Sequence, residues 1–336
     1  MKKLLAFLIF CLSNFALAEQ TVTNHMTGTS GLIMVDKMDS LVRFFDPKTF
    51  KEISNLSIGG TPHELAISPD RKTAYVPSYG DGVYGRNPKP GQTIAVIDLE
   101  SRKIRANIDV APYQAPHGLQ VDSTGVLYAS CDISRKLLVI DPKSLAITAA
   151  IDTDGTGHWI AVLPNGSKAY VANKNDRPFV SVIDLRTKKM IGRVPMPNGT
   201  QGITISPDGK KVLALDFAAP RVAVIDTATD QIVDEIALVN SSKGAWGARY
   251  SPDGRTLVII NGNDNTATLM NGGDSHSPQT VLKVGAQPFG IAYSADYKTA
   301  MVSNHGDGTI SVIDLENKQV VSSFSAGKGI ETLSFW

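Results

Sequence analysis

The stretch IAVLPNGSKAYVANKNDRPFVSVIDLRTKKM (160–190) contains the pattern that decides the fold. Short runs rich in Val, Ile, Ala and Tyr alternate with clusters of Pro, Asn, Gly and Asp. β-Branched and aromatic residues fit a pleated surface, whereas Asn, Gly, Asp and Pro favour tight turns. The stretch therefore predicts four short antiparallel strands joined by turns.

The same phrases recur along the chain at a spacing of about 40–45 residues, which is typical of propeller blades. The first phrase returns as LAISPDRKTAYVPS (65–78), ITISPDGKKVLALD (203–216), ARYSPDGRTLVIIN (248–261) and IAYSADYKTAMVSN (291–304). The second phrase is VSVIDL (180–185) in the opening stretch. Its aspartate recurs as Asp46, Asp98, Asp141, Asp184, Asp226 and Asp314. A weaker copy, ATLMNGG (267–273), fills the last gap. We predict an all-β, seven-bladed β-propeller with four antiparallel strands per blade.

The two ends of the repeat region complement each other. The first blade begins at GLIMVDKMD (31–39), which matches a second strand, so its first strand is missing. The C-terminal GIETLSFW (329–336) has the spacing of a first strand and no blade of its own. We expect this strand to complete blade 1 and close the ring, because closure removes two exposed sheet edges.

The N-terminus predicts export. MKKLLAFLIFCLSNFALA (1–18) combines two lysines, a short apolar run and an A-x-A cleavage site, which is the pattern of a signal peptide. We predict a signal peptide at 1–18, an N-terminal arm at 19–30 and the propeller at 31–336. No later run is long and apolar enough to predict a membrane span. The expected location is the periplasm or the exterior of the cell.

Charge and cysteine content narrow the classes of partner. Removal of the signal peptide leaves 31 basic side chains against 32 acidic ones, so no binding to nucleic acid is expected. Cys131 is then the one remaining cysteine and has no internal disulfide partner. The C-x-x-C-H pattern of c-type haem attachment is absent from the sequence.

The repeat resembles a known family. AYVAN (169–173) beside VSVIDL (180–185) is similar to the YVTN-type β-propeller repeat of bacterial secreted and periplasmic proteins. The resemblance covers residues 31–336 and implies the propeller fold. Proteins with this repeat have varied activities, so function must come from the site.

One residue per blade is expected at the mouth of the central channel. Inner strands line the channel of a propeller, and the loops before them are free to carry function. Aligned on the repeat, the residues at the start of the inner strands are, from blade 1 to blade 7, Glu331, His63, His117, His158, Gln201, Trp246 and Phe289. One half of the mouth is thus rich in histidine, and the other half is amide and aromatic.

A second group of candidates follows the second strands. Cys131 ends one such strand, and Tyr79, Lys174 and His305 come just after others. The insertion SYGDGVYGRNPKPGQT (78–93) in blade 2 adds Tyr84 and Arg86 beside the histidine half. We predict a ligand site made of Gln201, Trp246, Phe289, Tyr79, Tyr84, Arg86, Lys174, Cys131 and His305. Cys131 is a candidate soft ligand or nucleophile, and its alternative role is that of a small buried apolar group.

The histidines have three possible roles. His63, His117 and His158, with Glu331 nearby, match the three-ligand pattern of a catalytic metal site, for which copper or zinc is the expected ion. The same side chains could instead line a pocket for an organic ligand. They could also be inherited from a common repeat and simply hydrogen-bond neighbouring loops.

Three functions follow from these roles. The first is a binding protein that holds a small molecule or a partner protein at the top face. The second is a metal-dependent hydrolase, lyase or oxidoreductase, with Glu331 or Asp132 as the proton-transfer candidate and Arg86 or Lys174 contacting an anionic substrate. The third is a structural scaffold without a ligand.

Overall fold

The computed structural model describes residues 30–82, 87–174 and 177–336. Within these residues the chain forms seven four-stranded antiparallel sheets and no helix. The prediction of an all-β, seven-bladed propeller is therefore confirmed. The signal peptide and residues 19–29 of the arm lie outside the described residues, so both remain predictions.

Blades 1 to 4 contain the first half of the strands. Blade 1 consists of β1 (Leu32–Asp36), β2 (Leu41–Phe45) and β3 (Glu52–Leu56), with β28 (Ile330–Phe335) as its inner strand. Blade 2 consists of β4 (Ala66–Ile67), β5 (Thr73–Gly80), β6 (Pro90–Asp98) and β7 (Lys103–Asp109). Blade 3 consists of β8 (Pro116–Val121), β9 (Leu127–Cys131), β10 (Lys136–Ile140) and β11 (Ile147–Asp152). Blade 4 consists of β12 (Gly157–Val162), β13 (Lys168–Asn173), β14 (Phe179–Asp184) and β15 (Lys189–Pro195).

Blades 5 to 7 repeat this arrangement. Blade 5 consists of β16 (Thr200–Ile205), β17 (Lys211–Asp216), β18 (Arg221–Asp226) and β19 (Gln231–Ala237). Blade 6 consists of β20 (Gly247–Tyr250), β21 (Thr256–Asn261), β22 (Thr266–Asn271) and β23 (Thr280–Lys283). Blade 7 consists of β24 (Pro288–Tyr293), β25 (Thr299–Asn304), β26 (Thr309–Asp314) and β27 (Gln319–Ser325).

The apolar core lies between the blades. In the described residues each pair of neighbouring blades shares one cluster of buried side chains, such as Val180, Val182, Val212 and Ala214 between blades 4 and 5. The two middle strands of each blade supply most of these residues because they are covered on both faces. The channel is thus framed by a continuous packed wall.

The repeated aspartates lie in the turns of the lower face, the face opposite the channel mouth. The Asp141 carboxylate accepts hydrogen bonds from the backbone N–H groups of Lys143 and Ser144. These bonds stabilise the charged form, so the pKa of Asp141 is lowered. Asp184 and Asp226 cap their turns in the same way. These residues shape hairpins and lie far from the channel mouth.

The C-terminal strand closes the ring as predicted. β28 pairs antiparallel with β1, with Leu32 opposite Phe335 and Met34 opposite Leu333. The terminal Trp336 is buried and meets the ring of Phe44 edge to face, with ring centroids 5.8 Å apart. The first and last strands of the described chain therefore belong to one sheet.

We expect that deletion of residues 329–336 prevents formation of a soluble monomer, because the edges of β1 and the wall of the channel become exposed. Trp336→Ala should keep the fold but lower the free energy of unfolding by about 3 kcal/mol, as is usual for truncation of a buried tryptophan. Val320→Ala, on the outer strand of blade 7, is the control and should change it by less than about 0.5 kcal/mol. A truncated chain that melts within a few degrees of the full protein contradicts this account.

Candidate functional site at the channel mouth

Bulges place the predicted ring of residues at the mouth. In blade 1 the pairing steps from Ile330 to Thr332, so Glu331 is the extra residue, and in blade 7 Phe289 is extra in the same way. The inner strands of blades 3, 4 and 5 slip at the equivalent place, which carries His117, His158 and Gln201. A bulge re-aims a side chain out of the regular alternation of a strand. The bulges thus let these residues face the channel without disturbing the sheets.

The residue that follows each of these mouth residues controls how closely neighbouring blades approach. A Cβ atom at Gly118 would lie 2.5 Å from the carbonyl oxygen of His158, on the next blade. Ser130 fixes this contact, because its hydroxyl accepts the Gly118 N–H at 2.9 Å and donates to the His158 carbonyl at 2.6 Å. The sequence Pro-His-Gly therefore combines a side chain that enters the channel with a backbone that can touch its neighbour.

The three histidines form a continuous row. His63, His117 and His158 are 5%, 0% and 3% exposed, and successive ring centroids are 4.2 and 4.3 Å apart. Tyr79 lies edge-on to the first two rings and donates its hydroxyl hydrogen to Asp132 at 2.7 Å. The prediction placed these residues on one side of the mouth, and the structure brings them into contact.

Glu331 is the centre of charge in the site. Its carboxylate lies 3.0 Å from Nδ1 of His63, 3.2 Å from Nζ of Lys37 and 3.9 Å from Nδ1 of His305. Burial opposes its ionisation, but the positive neighbours outweigh burial and lower the pKa of Glu331 to about 2. The pKa of His63 is raised, because attraction to Glu331 outweighs the cost of burying the imidazolium. The ionised Glu331 carboxylate and the protonated His63 imidazole thus stabilise each other across this buried contact.

The other two histidines are neutral. Burial lowers the pKa of His117 and His158 well below the usual value, and the positive charges of His63 and Lys174 lower each further. Nδ1 of His158 lies 2.8 Å from the carbonyl oxygen of Gln201, which can only accept a hydrogen bond. The neutral ring must therefore carry its proton on Nδ1, and its lone pair is on Nε2.

The group best placed for a metal differs from the one predicted. In the described residues, His63, Glu64 and His117 offer one donor atom each, all within 4.8 Å of one another. Donor atoms of a tetrahedral zinc lie about 3.3 Å apart, given metal–ligand distances of about 2.0–2.1 Å, so small movements are needed. Glu331 is paired with Lys37, whereas the bond from Nδ1 of His158 to the Gln201 carbonyl leaves the lone pair of that ring on Nε2.

A pocket occupies the other half of the mouth, and we call it the upper pocket. Its volume is about 470 Å³, and its walls are Lys174, Gln201, Phe217, Ala218, Lys243, Trp246, Asn263 and Phe289. The rings of Trp246 and Phe289 meet edge to face with centroids 5.3 Å apart. The Lys174 ammonium lies 5.6 Å from the ring centre of Phe217, and burial lowers its pKa. The predicted Lys174, Gln201, Trp246 and Phe289 thus share one pocket.

The remaining predicted residues are dispersed. His305 lies between Phe289 and Glu331, at the junction of the two halves. Cys131 is a free, fully buried thiol in the apolar cluster between blades 2 and 3, and burial raises its pKa far above the usual value. This position matches the buried apolar alternative. Tyr84 and Arg86 lie outside the described residues.

Sequence reasoning missed a second layer just below the ring. Trp159 donates its indole N–H to Glu64 at 2.8 Å, and a Cβ at Gly202 or Gly247 would lie 3.3 or 3.2 Å from the indole. An indole that starts on blade 4 and reaches blades 2, 5 and 6 must lie across the channel. Burial raises the pKa of Glu64. The signal was available, because blades 3, 5, 6 and 7 have glycine at this position whereas blades 2 and 4 have Glu64 and Trp159.

The inner strand of blade 2 is shorter than the repeat predicts. β4 has two residues, and an isolated bridge between Pro62 and Ser78 precedes it. The interruption occurs where Glu64 replaces the glycine that allows close approach of blades elsewhere. The unpaired segment between them carries both His63 and Glu64 into the channel.

The fold and this mouth define a seven-bladed β-propeller with a polar, histidine-lined channel. A family model described as a YNCE-like beta-propeller matches residues 130–253. Among solved structures, Kuenenia stuttgartiensis hydrazine synthase superimposes with a TM-score of 0.71 at 18% identity, covering 81% of this chain and 89% of that one. This similarity shows the fold alone. No curated protein matches the sequence. Within the described residues, no helix has the length and apolar character needed to cross a membrane.

We expect stability to fall as the pH drops from 6.5 to 5. His117 and His158 stay neutral in the folded state but take up protons near pH 6.5 when unfolded, so acid favours unfolding by up to about 1.4 kcal/mol per pH unit for each. Glu331 contributes a similar loss of stability only below about pH 4.5, where its carboxyl becomes protonated in the unfolded chain. Denaturant unfolding at a series of pH values measures the slope.

His117→Gln should remove about half of this slope, whatever its effect on stability at pH 7. The raised pKa values of His63 and Glu64 act in the opposite direction in both proteins, so the difference between the two slopes reports the contribution of His117. His276→Gln is the control, because His276 is 73% exposed on the lower face. Equal slopes in wild type and His117→Gln contradict a neutral buried His117.

Proposed function

We propose that this protein is a periplasmic or secreted binding protein of the β-propeller class, whose ligand is a small organic anion held in the upper pocket. The observation that supports the proposal is the lining of this pocket, which combines two lysines with three aromatic rings. Its volume of about 470 Å³ lies within the range typical of small-molecule sites. The resemblance of the repeat to YVTN-type propellers and the predicted signal peptide support the location.

The charge of the pocket favours an anion. Lys174 and Lys243 line it, and no carboxylate is among the described residues of its wall. The nearby Glu331 is already balanced by Lys37 and His63. Partial burial of Lys174 weakens its hydration, which strengthens its attraction to a ligand anion. A cationic ligand would be repelled by the two lysines of the wall.

The aromatic walls favour a ligand with a flat apolar part. Trp246 and Phe289 stand edge to face, and Phe217 lies under Lys174. Such rings offer both faces and edges to a planar ligand and lose little conformational entropy on binding. The Gln201 side chain adds a neutral polar group to the same wall. An aromatic carboxylate or sulfonate satisfies all of these features.

2-Naphthoate is the matched probe. We expect saturable binding measured by calorimetry, with 2-naphthol at least tenfold weaker because it lacks the negative charge. Trp246→Ala and Lys174→Gln should each weaken binding of 2-naphthoate at least tenfold. Lys210→Gln, an 80% exposed lysine on the lower face, should leave binding unchanged. Equal affinity for the acid and the alcohol, or no effect of Lys174→Gln, refutes the anionic pocket.

A second candidate function rests on a different observation. His63, Glu64 and His117 bring two imidazoles and a carboxylate within 4.8 Å, and burial disfavours the protonated form of His117. This donor set suits zinc or copper, which in a metal-dependent enzyme would polarise a substrate or activate water. Metal binding must displace the proton of His63, which its ion pair with Glu331 opposes.

Calorimetry of untagged protein with ZnCl₂ or CuCl₂ tests this candidate. We expect His63→Ala and His117→Ala each to abolish binding, and the double variant to lose little more than either single one, since ligands of one ion act as a unit. His276→Ala serves as control. If wild type binds neither ion, or if binding survives both single changes, the metal-dependent alternative is excluded.

A further inference from the structure

The channel contains a second cavity below the indole of Trp159. It has a volume of about 230 Å³, and we call it the lower-channel cavity. Its walls include the aliphatic side chains of Leu65, Leu119, Ile160, Ile203 and Ile291. Trp159 lies across the channel above it, and Glu331, which contacts His63 at the mouth, is also part of its wall. Phe289 borders both this cavity and the upper pocket.

Arg249 is the distinctive residue of this cavity. It lies on β20, two residues before the Ser251 turn, so it is near the lower end of the channel. It lines the cavity, and the residue as a whole is exposed. Nη1 donates to the carbonyl oxygen of Ile291 at 2.8 Å. A guanidinium has five N–H donors, so this bond uses a small part of its capacity.

The guanidinium lacks the carboxylate partners that other internal arginines have. Arg43 pairs with Asp36, Asp39 and Glu52, and Arg221 pairs with Asp216 and Glu235. Among the described residues, none forms a salt bridge with Arg249. Surrounding protein lowers the pKa of Arg249, which means that its charge is incompletely solvated. Glu64 attracts the guanidinium without a salt bridge, so its N–H donors remain available to an anion.

The size and walls of the cavity define the anion. A guanidinium fork binds a carboxylate through two parallel hydrogen bonds. One cation balances one negative charge, and the two carboxyl groups of the same wall, Glu64 and the Lys37-paired Glu331, disfavour a dianion. The aliphatic walls suit an unbranched apolar tail. At about 30 Å³ per water, the volume corresponds to seven or eight waters, which is close to the eight heavy atoms of hexanoate.

We propose that the lower-channel cavity is a separate binding site for a short-chain monocarboxylate, with the carboxylate on Arg249 and the alkyl tail directed towards Trp159. The ligand reaches the site from the lower face. This site is distinct from the upper pocket because, among the described residues, Phe289 is the one lining residue that the two share and their cationic residues differ.

Calorimetry of the full chain with hexanoate at pH 7.5 tests the proposal. We expect saturable binding, with hexan-1-ol and hexylamine at least tenfold weaker and acetate weaker than hexanoate. Arg249→Gln should weaken hexanoate binding at least tenfold. Arg255→Gln is the matched control. Arg255 lies in the same blade and is 87% exposed, and its substitution removes the same charge.

Two further variants keep the test decisive if Arg249→Gln folds poorly. Thr204→Leu narrows the cavity without touching the guanidinium and should also weaken hexanoate binding at least tenfold. Trp246→Ala should leave hexanoate binding unchanged, whatever its effect on 2-naphthoate. The proposal is overturned if wild type shows no saturable binding up to 10 mM hexanoate, if hexan-1-ol binds as tightly, or if Thr204→Leu and Arg249→Gln both bind like wild type.

Discussion

The antiparallel pairing of β1 with β28 is the constraint on which the other features depend. Each blade is an open sheet whose inner strand is stabilised by its neighbours, so the channel exists only if the ring is complete. The buried Asp36 carboxylate, at the end of β1, accepts the backbone N–H groups of Lys328 and Gly329, just before β28. β28 also carries Glu331, whose carboxylate contacts Lys37 and His63. Closure of the fold and assembly of the charged site are therefore one event.

The channel is divided by charge as well as by side chains. At the mouth, the ion pair of His63 with Glu331 lies beside two neutral imidazoles, and the lysines face the aromatic half. Below them, Trp159, Glu64 and Arg249 line a second cavity. Burial costs every one of these groups solvation, so each persists only with a partner or with access to water. Three local environments therefore coexist along one axis.

Much of this architecture follows from the sequence, and the misses have physical causes. The repeat fixed seven blades, and the shared position before each inner strand identified the row of histidines as well as Trp246 and Phe289. Glu64 and Trp159 escaped because their role depends on space that glycines at 202 and 247 leave open on other blades. Cys131 shows a different limit. The direction of a side chain at the end of a strand is decided by one residue of register, and there Asp132, not the thiol, meets Tyr79.

Because Glu331 lies on β28, which follows the other described strands in sequence, the order of synthesis has a consequence for the site. A chain made from its N-terminus presents β1 with one edge unpaired throughout translation of the other six blades. His63 likewise lacks its carboxylate until the final residues emerge. A chain interrupted before β28 has neither a complete blade 1 nor the carboxylate that contacts His63, so its channel mouth differs from that of the full chain.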